Sequence, residues 1–187
     1  MFRSACTRQL TGRRTSGDNL SRQKIVWLIP ILLTLHNAEE AIAFRSYMPR
    51  MQAVLPEPFA RVVSSLSYST MLLALTGLSA LAFIIAFGAA ARPYSPRMLW
   101  ALLALEAAVC VNALAHLVSA AILFQGYGPG LVTAVFINAP FGVYCFRQAR
   151  HEQWLSNTAL QATVPAAFIL HGPVLLAVLW LAGQVSR

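Results

Sequence analysis

IVWLIPILLTL, residues 25–35, carries no charge and runs straight into His36-Asn37-Ala38-Glu39-Glu40, after which Ala41-Ile42-Ala43-Phe44 resumes the apolar pattern. Read as one helix at 1.5 Å per residue, 25–44 spans about 30 Å, the thickness of a bilayer's hydrocarbon core. The stretch predicts a transmembrane helix with a histidine and two carboxylates at depth. Each charge there costs roughly 2.5–3.5 kcal/mol even on lenient insertion scales. The chain must compensate these groups with partners, protons or a metal ion. Pro30 predicts a kink.

Working outward, the composition agrees with that reading. The chain is 58% hydrophobic and 11% charged, against about 25% charged for soluble domains. A soluble chain of 187 residues could not bury so much apolar surface. The net charge of +8 sits at the ends of apolar runs, where it reads as topology determinant and not as a nucleic-acid stripe. The predicted partners are therefore the lipid bilayer and a hydrophobic small molecule, with no nucleic acid. Cys6, Cys110 and Cys145 are odd in number and lack CxxC spacing, so no disulfide framework is expected. Cys110 and Cys145 read as small core residues.

The predicted fold is all-α, a polytopic membrane bundle of about five transmembrane helices. Residues 1–24 form a basic tail, expected to be disordered and cytoplasmic in preference to a transit or signal peptide; 25–187 form the helical domain. The spans are 25–44, 66–90, 98–124, 131–146 and 159–182, the fourth short for a crossing. Residues 45–65 read as a connector with an interfacial piece, whose Pro58 suits the first turn of a helix. With the N-terminus inside, the cytoplasmic segments hold ten of the fourteen Lys and Arg: six in the tail, two in 91–97 and two in 147–154. That distribution predicts N-in, C-out topology.

Depth brings the polar residues together. His36 falls near the midplane of span one, with Glu40 about 6 Å further outward. Asn112 falls near the middle of span three and His116 in its outer half. His171 falls near the middle of span five. His36 and Glu40 are i, i+4 and share a face, flanked by Glu39 at i+3; Asn112 and His116 are also i, i+4. Ala101, Ala104, Ala108, Asn112, Ala115 and Ser119 form a small-residue stripe that contains Asn112 and borders His116, so the pair faces protein. Pro173 leaves the Ile169 carbonyl without its helical donor, which suits the wall of an internal site. Glu106, about 15 Å deeper than His116, lies outside this layer. His151 reads as solvated.

Two chemistries fit. In the first, His36, Glu40, His116 and His171 bind a divalent metal, Zn²⁺ or Fe²⁺, with Glu39 as acid/base and Asn112 orienting a ligand or substrate. The enzyme would be of hydrolase or lyase/isomerase type. In the second, a buried carboxylate and a histidine move a proton on a lipid-like substrate without metal. A cation or proton pathway is a third reading, weakened because the polar residues do not cross the whole depth. Beside all three stands the plain reading of a buried structural polar network.

Four elements in order carry a family resemblance: His36, Glu39 and Glu40; Asn112-Ala113-Leu114-Ala115-His116 as NAxxH; Pro129-Gly130-Leu131-Val132-Thr133-Ala134 as PGxxTA; and the late His171. On these the chain resembles the HXXEE-motif family of small bacterial membrane proteins. The resemblance implies a helical membrane protein with a metal-dependent activity. Gly128 and Gly130 are expected to shape an outer turn that roofs the site.

Overall fold

The computed structural model describes residues 20–186. Residues 1–19, with Cys6 and most of the expected disordered tail, lie outside the described residues, as does Arg187. Residues 22–24 are already helical. The first helix, α1, is Arg22–Val54, capped by Ser21, whose side chain accepts from the Lys24 amide. It overruns the predicted end at residue 44 by ten residues. The only breaker beyond Phe44 is Pro49, which removes one donor and frees the Arg45 carbonyl without stopping the helix. The extension has a use: Tyr47 stacks edge-on against Phe124 and Tyr127, with centroids 6.3 and 5.3 Å away, and Arg50 donates to the Phe124 carbonyl. The expected connector contains a short helix, α2, Glu57–Ser65, with Pro58 in its first turn.

Tyr68–Ala91 forms α3 and Pro96–Phe124 forms α4, with Ser67 and Ser95 as N-caps. The next helix, α5, covers 131–151 in three abutting pieces, Leu131–Thr133, Ala134–Asn138 and Ala139–His151. Asn157–Val185 forms α6. Among the described residues, α1, α3, α4 and α6 are long and apolar enough to cross a membrane. The segment expected as the fourth span is not among these four; α5 ends with Arg147, Arg150 and His151. His151 is exposed, as expected.

The surface is inverted relative to a soluble protein. Ile84, Phe87, Ile122, Phe136 and Trp180 are each more than 60% exposed, while the helix contacts are made by alanines. Ala82, Ala86 and Ala89 of α3 and Ala104 of α4 are buried almost completely. Small side chains let helix backbones approach, which is how packing is gained where lipid is as apolar as leucine. The largest apolar cluster, including Ile25, Ile29, Leu99, Leu102, Leu103, Cys145 and Trp154, lies where α1 and α4 begin and α5 ends. This basal end is also tied by the Leu20 amide donating to the Tyr144 hydroxyl at 2.8 Å. Above it, α1 packs on α3, α5 lies against α4, and α6 crosses from α4 (through Thr163–Ile169) to α3 (through Leu175–Val185).

Three helices carry a π-helical turn, at Ala120–Phe124, Ala134–Asn138 and Leu170–Val174. Such turns insert a residue and concentrate at functional sites. Here one begins four residues after His116, one begins directly after Thr133, and one contains His171.

Candidate metal centre and its cavity

His36 is fully buried and held at both ring nitrogens. Its Nδ1 is 2.9 Å from Thr133 Oγ1, and the Thr133 hydroxyl lies 2.6 Å from Glu39 Oε2. A carboxylate only accepts, so the hydroxyl donates to Glu39 and its oxygen takes the His36 Nδ1 proton. That assigns the tautomer: Nε2 carries the lone pair, and the Asn112 amide donates to it at 2.8 Å.

Glu39 and Glu40 diverge from adjacent positions. Glu39 accepts from the Tyr127 hydroxyl at 2.9 Å, the Val132 amide at 3.1 Å, and the Thr133 amide and hydroxyl at 2.7 and 2.6 Å. It thus caps the start of α5, where free amides and the helix dipole favour an anion. Tyr127, in the turn before α5, has its hydroxyl pushed up to about 12 by burial and by the hydrogen bond to Glu39. Glu40, one turn above His36, faces the other way, with Oε1 3.8 Å from His116 Nε2.

His116 packs edge-on against His36, with centroids 4.9 Å apart. Its Nε2 is buried and has no hydrogen-bond partner among the described residues. Gly130 presses against both rings. A Cβ there would stand 2.8 Å from His36 Cε1 and 3.0 Å from His116 Cε1, and its φ of +78° is already left-handed. Both facts exclude a side chain. The expected roofing turn is thus a packing floor for two imidazoles.

His36, Glu40 and His116 each offer a ligand atom within 4.8 Å of the others. Two imidazoles and one carboxylate suit Zn²⁺ or Fe²⁺. The orphaned His116 Nε2 needs a partner that a cation supplies, and the Thr133–Glu39 pair behind His36 is the kind of support that ligating histidines have. The donor set therefore fits a divalent ion. An ion on His36 Nε2 would take the place now held by the Asn112 amide.

The fourth expected ligand, His171, is not in this group. It lines a cavity of about 480 Å³ between α1, α3, α4 and α6. Glu40 and Asn112 also line that cavity, whereas His36 and His116 lie behind them. The packing of α6 on α3 and α4 sets the azimuth of His171, which falls outside the group that lies within 4.8 Å, yet near enough to His116 for their charges to interact. Glu106 stands apart, as expected. It is 1% exposed, its Oε1 has no partner, and Asn138 is buried with its amide equally unpaired. Beside Glu106, a Cβ on Gly142 would collide with Cys110 Sγ and approach Glu106 Oε1 to 3.2 Å.

Thr133 and Tyr127 were not singled out as site residues by hydropathy or helical spacing. Thr133 was visible only within the PGxxTA element, whose residues converge on the site only in three dimensions.

The protein of unknown function family with the HXXEE motif matches residues 27–145. The chain is also similar to the uncharacterized protein YrkK of Bacillus subtilis (strain 168), 26% identical over 154 residues, covering 82% of this chain and 90% of the relative. No solved structure matches the chain significantly. The matched region contains the histidine–glutamate group, the NAxxH element and the turn that packs on them, so the chain belongs to the HXXEE-motif family, whose function is not established.

Proposed function

We propose that the protein is an integral membrane, metal-dependent enzyme of hydrolase or lyase/isomerase type, acting on a hydrophobic substrate. The observation that carries the reading is Glu40: its carboxylate belongs both to the three-residue ligand group and to the wall of the apolar cavity. A divalent ion, when bound, would supply Lewis-acid polarisation of a substrate oxygen. The chain's own residues divide the remaining tasks. His36, Glu40 and His116 hold the ion. Thr133 and Glu39 fix the His36 tautomer, so Glu39 acts as a positioning residue in place of the acid/base role expected from sequence. Asn112, facing both His36 and the cavity, orients the substrate. His171, on the cavity wall, is placed to accept or donate a proton.

We place the protein in a bacterial inner membrane with its N-terminus cytoplasmic, on the distribution of Lys and Arg and on the bacterial relative. A metal-free acid/base enzyme is the second reading. Asn112 favours it, because its amide already engages the His36 lone pair.

Metal analysis of the detergent-purified protein decides between them. About one ion per chain is expected, with loading lowered on the order of 10-fold or more by His116→Ala and by Glu40→Gln. A protein that purifies without metal and takes up neither Zn²⁺ nor Fe²⁺ leaves the second reading.

A further inference from the structure

The cavity has a shape and charge that restrict its occupant. Its polar side chains, Asn37, Glu40, Asn112 and His171, gather at the level of His36. Below that level the wall runs along α4 from Asn112 through Ala108, Ala104 and Ala101 to Trp100. Twelve residues of helix are about 18 Å, somewhat more than one leaflet of a ~30 Å hydrocarbon core. Among the described residues, that lower arm has no charged side chain and, apart from the Trp100 indole, no polar one. The volume of about 480 Å³ lies within the range of small-molecule sites.

The charge is equally restrictive. Among the described residues, Glu40 is the only Asp, Glu, Lys or Arg on the wall. Phosphate sites are built from Arg, Lys or free helix N-terminal amides. Among the described residues no arginine or lysine lines this cavity, and the free amides at the start of α5 are already taken by Glu39. The alanines on α4 keep the arm open, since larger side chains at those positions would fill it.

We propose that the cavity binds one linear hydrocarbon chain that ends in an uncharged hydrogen-bonding head. The head sits among Glu40, Asn112 and His171, and the chain lies in the arm toward Trp100. The ligand class is therefore a single-chain neutral lipid, such as a long-chain alcohol, ester or amide, and not a phospholipid or a prenyl diphosphate. The inference rests on the proposed enzyme only in placing chemistry at the head; binding of the chain stands without a metal.

The test uses the full-length protein in phosphatidylcholine vesicles. The probe is a long-chain alkyl alcohol with a diazirine in its tail, compared with the same chain ending in phosphate. Photolabelling by the alcohol is expected on wall residues such as Ala104 and Leu105, and excess unlabelled alcohol should compete it away. Ala101→Phe should lower labelling about tenfold, the loss expected when roughly two methylenes are displaced. Leu78→Trp, from the facing helix, repeats the test should the first variant fold poorly. His116→Ala, off the cavity wall, should keep the labelling while it loses metal, which separates failure of the metal reading from failure of this one. Equal labelling by the phosphate-headed chain would overturn the neutral-head assignment. Uncompeted labelling spread over the lipid-facing Ile84 and Phe87 would overturn the binding site itself.

Discussion

Thr133 Oγ1 stands 2.9 Å from His36 Nδ1 and 2.6 Å from Glu39 Oε2, so one hydroxyl joins the first and fourth residues of the HNAEE stretch through a different helix. It accepts from the imidazole and donates to the carboxylate. Two side chains of α1 are coupled through it, and α5 is locked to α1. Replacing Thr133 with valine keeps the shape and removes both bonds. The loss of stability should be about 1–3 kcal/mol, because a buried N–H and a carboxylate oxygen lose a partner together. Thr133→Ser should recover most of it. Thermal unfolding in detergent measures the difference, and metal titration should show affinity lowered roughly 10–100-fold by valine.

Gly130 and Gly77 should respond oppositely to alanine. At Gly130 the new methyl meets two imidazoles and the backbone is left-handed, so a loss of at least ~1–2 kcal/mol is expected from the backbone alone. At Gly77, inside α3, nothing lies within 4 Å of the added atom, and helix propensity predicts a gain of up to about 1 kcal/mol. Paired melting curves test the contrast.

His171→Ala should leave metal content unchanged, because His171 lies outside the ligand group, while lowering turnover once a substrate is in hand. Glu39→Gln should retain the ion but lower the melting temperature, since an amide accepts fewer and weaker hydrogen bonds at the start of α5. Elemental analysis beside thermal unfolding separates the two. Full loss of metal in His171→Ala would restore it as a ligand.

Gly142→Ala should destabilise through collision with Cys110 Sγ, at a cost of about 1–3 kcal/mol for overpacking. Adding Cys110→Ala removes the opposing sulfur and should restore much of the loss. A non-additive double mutant is the signature of direct contact.

Tyr127 gives a pH dependence of definite sign. Its folded-state value, about 12, lies above the ordinary 10. The stability it contributes is full below pH 10 and is lost as pH rises through 12. Tyr127→Phe should lack that component, which chemical denaturation at pH 9 and above would show as a flatter profile.

The architecture was largely legible from residue order. Span three and the short turn after it, the short connector helix with Pro58 in its first turn, and the termini of α3 follow from hydropathy, length and capping residues. The end of α1 was not legible. Residues 45–54 are polar enough to leave a bilayer, but they stay helical because Tyr47 and Arg50 find partners at Phe124 and Tyr127. Those partners are more than seventy residues away, beyond the reach of any local pattern.

The sequence by itself determined that a helical membrane chain carries His36 and Glu40 on one face and Asn112 and His116 on another. Helical spacing and the cost of charge in lipid dictate that much. Only the tertiary structure decided that Glu39 turns to α5 while Glu40 turns to His116. It also decided that Gly130 floors both imidazoles, and that His171 lines the cavity outside the close His36–Glu40–His116 group. These outcomes depend on how each helix is rotated about its axis, and π-helical turns and long-range packing set that rotation. Depth along a helix can be counted from sequence. Azimuth between helices is settled by the neighbours they meet.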